Sequence, residues 1–152
     1  MTDQDRLANQ AWEAMLTAHT RLMRQFEAAD VWNDLSMREY DVLYTLSKCN
    51  RPVRMRELGR SVLLSQPGLS RLVNRLVQRG LVERAPDPAD GRSVRVALTP
   101  AGRERQKQVG RQHARSVARA MSAVDPDDLA RLRAITTKLV DHLDTARQGA
   151  HR

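Results

Sequence analysis

The sequence predicts a mainly α fold with a small β-hairpin: a winged helix-turn-helix flanked by helices at both ends. Three observations predict it. Apolar residues recur at three- and four-residue spacing along both ends of the 152-residue chain. In the middle, a short helix, a turn and a second helix over 56–78 lead into two runs of strand character joined by "DPADGRS". After the hairpin, Thr99-Pro100 and Asp125-Pro126 each pair an N-cap residue with a proline suited to the first helical position.

Each element has its own signal. Ala8, Ala11, Trp12, Met15, Leu16, His19, Leu22, Met23 and Phe26 line one face of a long first helix. Ser36 and Glu39 form a capping box, with Leu35 and Tyr40 as its hydrophobic staple, and Tyr40, Leu43 and Tyr44 continue as the buried stripe of a second helix. Pro52 ends that helix, because it disfavours helical geometry at Arg51. A short helix follows from Arg56 to Ser61. Ser65 is the expected N-cap of the next, which runs from about Gln66 to Gln78 with Pro67 in its first turn and Gly80 as its stop. Its buried stripe is Leu69, Leu72, Val73, Leu76 and Val77. Strands are expected at Leu81–Arg84 and Ser93–Leu98, then a helix from Pro100 to about Ala123 and a last one striped by Leu129, Leu132, Ile135, Leu139, Val140 and Leu143. The organisation that follows is an N-terminal dimerisation helix over 1–35, a winged helix-turn-helix over 36–99 and C-terminal dimerisation helices over 100–152.

Composition narrows the partners. Only 3% of residues are aromatic, so the core is built from Leu, Val, Met and Ala. The formal charge is +8, and residues 51–98 carry 10 Lys and Arg against 4 Asp and Glu, whereas residues 1–50 carry 5 against 8. An anionic partner is thus drawn to the middle third. No apolar run approaches the ~20 residues that span a bilayer, and no signal-peptide pattern opens the chain. The single Cys49 cannot form an intramolecular disulfide, which suits a reducing cytoplasm.

The second helix of the central pair carries chemistry on its outward face. Gln66, Ser70, Arg71, Asn74, Arg75 and Gln78 include no acid. Arg forks onto guanine, Asn and Gln pair with adenine, and Ser meets base or phosphate, so this face suits the major groove of double-stranded DNA. A plain solvated face would mix acids with the cations. In the hairpin, Arg92 follows Gly91 at the expected tip, shaped to enter a narrow minor groove; the bland alternative is a surface hairpin with an incidental ion pair. Asp90 either braces that guanidinium or reaches back to an arginine of the recognition helix.

The stretch "DPADGRSVRVALTPAG" resembles the wing signature of the MarR family of winged-helix transcriptional regulators. "MRELGRSV", "SQPGLSRLVNRL" and "RGLVERAPD" fit that family's preceding elements in order, and "LSMREYDVLYTLS" resembles the helix before them. The resemblance implies a homodimer with interlocked terminal helices, bound to a palindromic operator, and most often a repressor. It gives Arg92 the minor-groove role and Asp90 the orienting role; Gln66, Ser70, Arg71, Asn74 and Arg75 line the major groove, and Ser65 is counted with the DNA-binding set. Arg54 and Arg56 meet phosphates, and Arg95 on the second strand belongs to the same DNA-binding set. It also implies a small phenolic or aromatic ligand in a cleft beside the dimerisation helices, for which Trp12, Trp32 and Tyr40 are the candidates.

Other site chemistry is sparse. Cys49, flanked by Lys48 and Arg51, offers an alternative thiol-based redox sensor, and a protein-docking winged helix is the other alternative. The four histidines show no paired ligand spacing, so no metal or cofactor is expected; His19 and His113 sit on apolar faces and read as interface histidines. No phosphate loop, nucleophile elbow or clustered acid–base pair indicates an enzyme.

Overall fold

The computed structural model describes residues 2–64 and 67–149. They divide into two compact units, one ending at Val117 and one beginning at Ala118. The first holds helices α1 (Asp3–Glu27) and α2 (Met37–Cys49), strand β1 (Val53–Arg54), helices α3 (Met55–Ser61) and α4 (Leu69–Gln78), and strands β2 (Val82–Asp87) and β3 (Asp90–Leu98). Helix α5 (Pro100–Ala120) contains the boundary, and α6 (Pro126–Gly149) lies in the second unit.

Short-range signals act where the sequence puts them. Glu39 N donates to Ser36 Oγ at 3.1 Å and Ser36 N to Glu39 Oε2 at 2.9 Å, completing the capping box of α2. A second box, Thr2 with Asp5, starts α1. Helices α5 and α6 begin at Pro100 and Pro126 as expected. At the head of α5 the Thr99 hydroxyl accepts from Gly102 N at 3.0 Å and donates to the Gly80 carbonyl at 2.6 Å, so one side chain caps the helix and ties it to the end of α4.

The start of α4 differs from expectation. The helix begins at Leu69, and its N-cap is Gly68 at φ +87°, a left-handed conformation that glycine adopts without strain. Pro67 therefore stands outside the helix rather than in its first turn. The expected N-cap Ser65 and the groove residue Gln66 lie outside the described residues. The hairpin is longer than its apolar alternation suggests. Strands β2 and β3 join through the two-residue turn Pro88-Ala89, and β1, too short to read from sequence, adds a third strand in the order β1-β3-β2.

The core of the first unit joins α2, α3, α4, the sheet and α5. Val42, Leu43, Leu58, Val73, Leu76, Val96 and Val109 are wholly buried, and they are aliphatic, as the composition requires. A Cβ on Gly102 would lie 1.9 Å from the Leu81 carbonyl oxygen, so glycine is what lets α5 approach the chain leading into β2. Helix α1 buries none of its residues, and its Leu7 and Trp12 are exposed. The second unit's α6 is capped by Asp125, whose carboxylate accepts from Asp128 N at 2.9 Å. It too buries none of its residues and exposes Leu132, Ile135, Leu139, Val140 and Leu143 along one stripe. No helix among the described residues is long and apolar enough to cross a membrane.

Candidate nucleic-acid interface and adjoining cavity

Helix α4 turns Leu72, Val73 and Leu76 inward and exposes Ser70, Arg71, Asn74, Arg75 and Gln78. The amphipathic period alone sets this division. Within the exposed set the side chains differ in freedom. Arg75 Nε donates to Glu39 Oε1 at 3.4 Å, and Arg79 bonds Glu39 Oε2 at 3.3 Å and Asp34 Oδ2 at 2.7 Å. Arg105 of α5 also pairs with Asp34. Glu39, only 7% exposed, thus caps α2 and clamps α4 with one carboxylate. Arg71 makes no such pair among the described residues and projects its guanidinium outward. Arg56, on α3, is likewise exposed.

The wing is organised by two aspartates three residues apart. Asp87, the last residue of β2, has a fully buried side chain. It accepts from Ala89 N at 2.9 Å, Arg54 Nε at 2.5 Å and Arg95 at 3.0 Å. Arg54 and Arg95 face each other across the β1–β3 ladder, where like charges repel. Asp87 sits between them and neutralises the pair. The Ala89 N–H and then the two guanidinium groups hold its pKa down at about 2.

Asp90 does something else. Pro86 pairs with Val94 and Asp87 with Asp90, so Gly91, Arg92 and Ser93 bulge out of β3 without partners on β2. Asp90 accepts from Arg92 N at 3.1 Å and from Ser93 Oγ at 2.9 Å, and the first of these bonds leads in lowering its pKa. It therefore braces the backbone of the bulge, and neither expected partner, the Arg92 guanidinium or a recognition-helix arginine, takes its oxygens. Arg92 itself lies one residue beyond Gly91 on this bulge rather than at the Pro88-Ala89 tip, exposed and without a side-chain partner among the described residues.

Two expected DNA contacts are thus partly occupied inside the protein. Arg54 keeps about half its side chain exposed, but its Nε serves Asp87. Arg95 is one-third exposed, pairs with the same carboxylate and leaves Nε buried with no partner among the described residues. In the sequence Asp87 only opens the turn "DPADGRS"; its burial follows from strand β1, which two residues of alternation cannot announce.

Beside the core of the first unit lies a cavity of about 900 Å³. Trp32 and Tyr40 line it, together with Phe26, His113 and the Gly110 turn of α5. Trp12 does not; it stands on the exposed face of α1. The Trp32 indole N–H is spent on the Phe26 carbonyl at 2.8 Å, so the ring is fixed edge and face. His113 packs 4.9 Å from Trp32 and 5.1 Å from Phe26, ring centroid to centroid. Read from the sequence as an interface histidine, it is instead enclosed by aromatic rings of its own unit, where burial lowers its pKa and leaves Nδ1 without a partner among the described residues. A Cβ on Gly110 would stand 3.0 Å from the Tyr40 hydroxyl, so glycine keeps this wall open. Cys49, half-buried, donates to the Thr45 carbonyl at 3.2 Å. No group of three or more His, Cys, Asp or Glu among the described residues could hold a metal ion.

A helix-turn-helix with a braced wing defines a winged-helix protein. The MarR family model matches residues 33–93, which span the winged helix of this chain. The chain is similar to AbsC, a MarR family transcriptional regulator from Streptomyces coelicolor, at 28% identity and a TM-score of 0.76, over 95% of this chain and 97% of that one. It is 28% identical to the HTH-type transcriptional regulator PecS of Dickeya dadantii over 72% of this chain and 67% of the relative. It is 32% identical to the HTH-type transcriptional regulator YkoM of Bacillus subtilis over 58% of this chain, a match spanning only 54% of that relative's length.

Proposed function

We propose that the chain is a sequence-selective regulator of transcription that binds a palindromic operator in double-stranded DNA as a homodimer and represses until a small phenolic or aromatic molecule enters the cavity. The observation that carries this reading is the acid-free, exposed face of α4, together with the exposed bulge that carries Arg92. Arg71 and Asn74 read base edges in the major groove, Arg92 enters the minor groove, and Arg56 and the free half of Arg54 meet phosphates. Relatives that bear the name transcriptional regulator support the class.

The apolar stripes of α1 and α6, exposed in the single chain, support a second copy as their cover. Residues 1–35 and 100–152 then form the dimerisation helices and 36–99 the DNA-binding domain. Trp32, Tyr40, Phe26 and His113 supply flat apolar walls for an aromatic ring. Its arrival changes how two recognition helices fit successive major grooves about one helical turn apart.

A gel shift with the intergenic DNA upstream of the protein's own gene, repeated across a salt series, tests the reading. A logarithm of affinity that falls linearly with log salt, and an affinity that depends on sequence, support it. Binding that ignores sequence, or no binding, overturns it.

A further inference from the structure

The acid-free face of α4 has a buried acid at its edge. The Glu39 carboxylate meets two arginines that stand one helical turn apart: Arg75 Nε donates to Oε1 at 3.4 Å and Arg79 Nη1 to Oε2 at 3.3 Å. Arg79 carries the network on to Asp34, which also holds Arg105. Two carboxylates thus alternate with three guanidinium groups in the order Arg75, Glu39, Arg79, Asp34, Arg105. Arg75 is the most open of the three cations, with 57% of its side chain exposed against 30% for Arg79 and 32% for Arg105. We propose that Glu39 is the positioning residue for Arg75 and makes that arginine a reader of one base edge rather than a general cation. The proposal rests on the reading above for the DNA partner.

The carboxylate is itself fixed by the fold. Its Oε2 accepts from Ser36 N at 2.9 Å, and Val42 and Leu43 on the same helix are wholly buried. A guanidinium group is planar and presents its five N–H donors as a rigid fork. A bond through Nε therefore sets the plane of the whole group and leaves both terminal nitrogens free, the parallel pair that fits guanine O6 and N7. Orientation supplied in advance also lowers the side-chain freedom that binding must remove. Arg71 has no such partner among the described residues and carries that cost in full. Glu39 has a second effect. Its negative charge offsets part of the attraction that Arg75 would exert on every phosphate, whatever the sequence. Loss of that charge should thus act in opposite directions on selective and on general binding.

Glu39→Gln separates this role from the capping role, because glutamine also serves as the third residue of a capping box. Asp34 still bonds Arg79 at 2.7 Å in that variant's network. The unaltered full-length chain, Glu39→Gln, Arg75→Ala and the double variant are titrated with operator DNA, its single-base variants and non-operator DNA of equal length. Glu39→Gln is expected to cut the ratio of operator to non-operator affinity about tenfold, with the loss concentrated at the base position that Arg75→Ala relaxes. Affinity for non-operator DNA does not fall. In the Arg75→Ala background, Glu39→Gln changes the ratio by less than about twofold. Losses shared equally by all DNA, a rise in operator affinity, or strictly additive losses overturn the proposal. Arg75→Lys is the second variant should Glu39→Gln fail to fold. It keeps the charge without the fork, and it must relax the same base position while leaving the salt slope unchanged; otherwise the proposal fails. Exchange of the Arg75 Nε–H with water, followed by NMR in the free protein, is expected to quicken with Glu39→Gln, and unchanged exchange also overturns it. If the unaltered chain shows no preference among DNA sequences, the regulator reading falls instead, and the exchange measurement still decides whether Glu39 holds Arg75.

Discussion

The carboxylate of Asp87, fully buried at the end of β2, accepts a bond from Arg54 Nε at 2.5 Å although the two residues are 33 positions apart. With Arg95 on the other side, one acid holds together two arginines that the β-ladder sets face to face. The wing is thus stiffened from within before any nucleic acid arrives.

Asp87 makes the fold sensitive to strong acid. Its folded pKa is about 2, below the ordinary value of 3.8, so its contribution is present above the ordinary value and is lost as pH falls from about 4 toward 2. Asp87→Asn should lower the unfolding midpoint at neutral pH and flatten the stability profile in that window. Urea unfolding followed by circular dichroism at several pH values measures both; an unchanged profile would mean the ion pairs are dispensable.

His113 works in the opposite part of the scale. Burial disfavours its charged form, so near its ordinary pKa of 6.5 the folded chain takes up that proton less readily than the unfolded one. Stability should therefore fall as pH drops through the ordinary value of 6.5 toward the lower folded one, and His113→Phe should remove that part of the slope. Thermal melts of the two proteins at pH 7.5 and 5.5 give the comparison.

The recognition face and the wing should lose different things. Arg71→Ala is expected to cost about 1–3 kcal/mol and to relax preference at one operator position. Arg56→Ala should weaken all sequences alike and reduce the salt slope by about one. Competition binding against a set of single-base operator variants separates them, and a uniform loss with Arg71→Ala would make it a phosphate contact.

Asp90 braces the bulge that presents Arg92, so the two act as a unit. Arg92→Ala should weaken operator binding by about 1–3 kcal/mol and leave dimerisation intact. Asp90→Ala should cost less, and adding it to Arg92→Ala should cost little more. A double-mutant cycle on operator affinity with strictly additive losses would show that Asp90 does not act through Arg92.

Gly102→Ala should reverse the usual rule for helices. Replacing a helical glycine by alanine commonly stabilises by about 1 kcal/mol. Here the new Cβ would stand 1.9 Å from the Leu81 carbonyl oxygen. Displacing backbone is expected to cost about 1–3 kcal/mol instead, measured as a lower urea midpoint.

Much of this protein was legible in the sequence because the signals are short-range. Ser36 and Glu39 meet three residues apart, Thr99 and Asp125 cap the helices that follow them, and one helical turn decides that Leu72, Val73 and Leu76 face inward while Arg71 and Asn74 face out. The family resemblance rests on the same local runs. Other features required partners brought from far along the chain. Asp87 and Asp90 are the same residue type in the same turn, yet register with a two-residue strand buries one between Arg54 and Arg95 and leaves the other on the surface to hold the Arg92 bulge. Gly68 in the left-handed region moves the start of α4 past Pro67. Trp12 and Trp32 both look like candidates for an aromatic cleft, and only the packing of α2 and α5 puts Trp32 on the cavity wall and leaves Trp12 outside it. Period and caps are set by neighbours three or four residues away, so the sequence by itself determines the elements and their polar faces. Burial and charge pairing depend on which elements meet, and tertiary structure alone decided that.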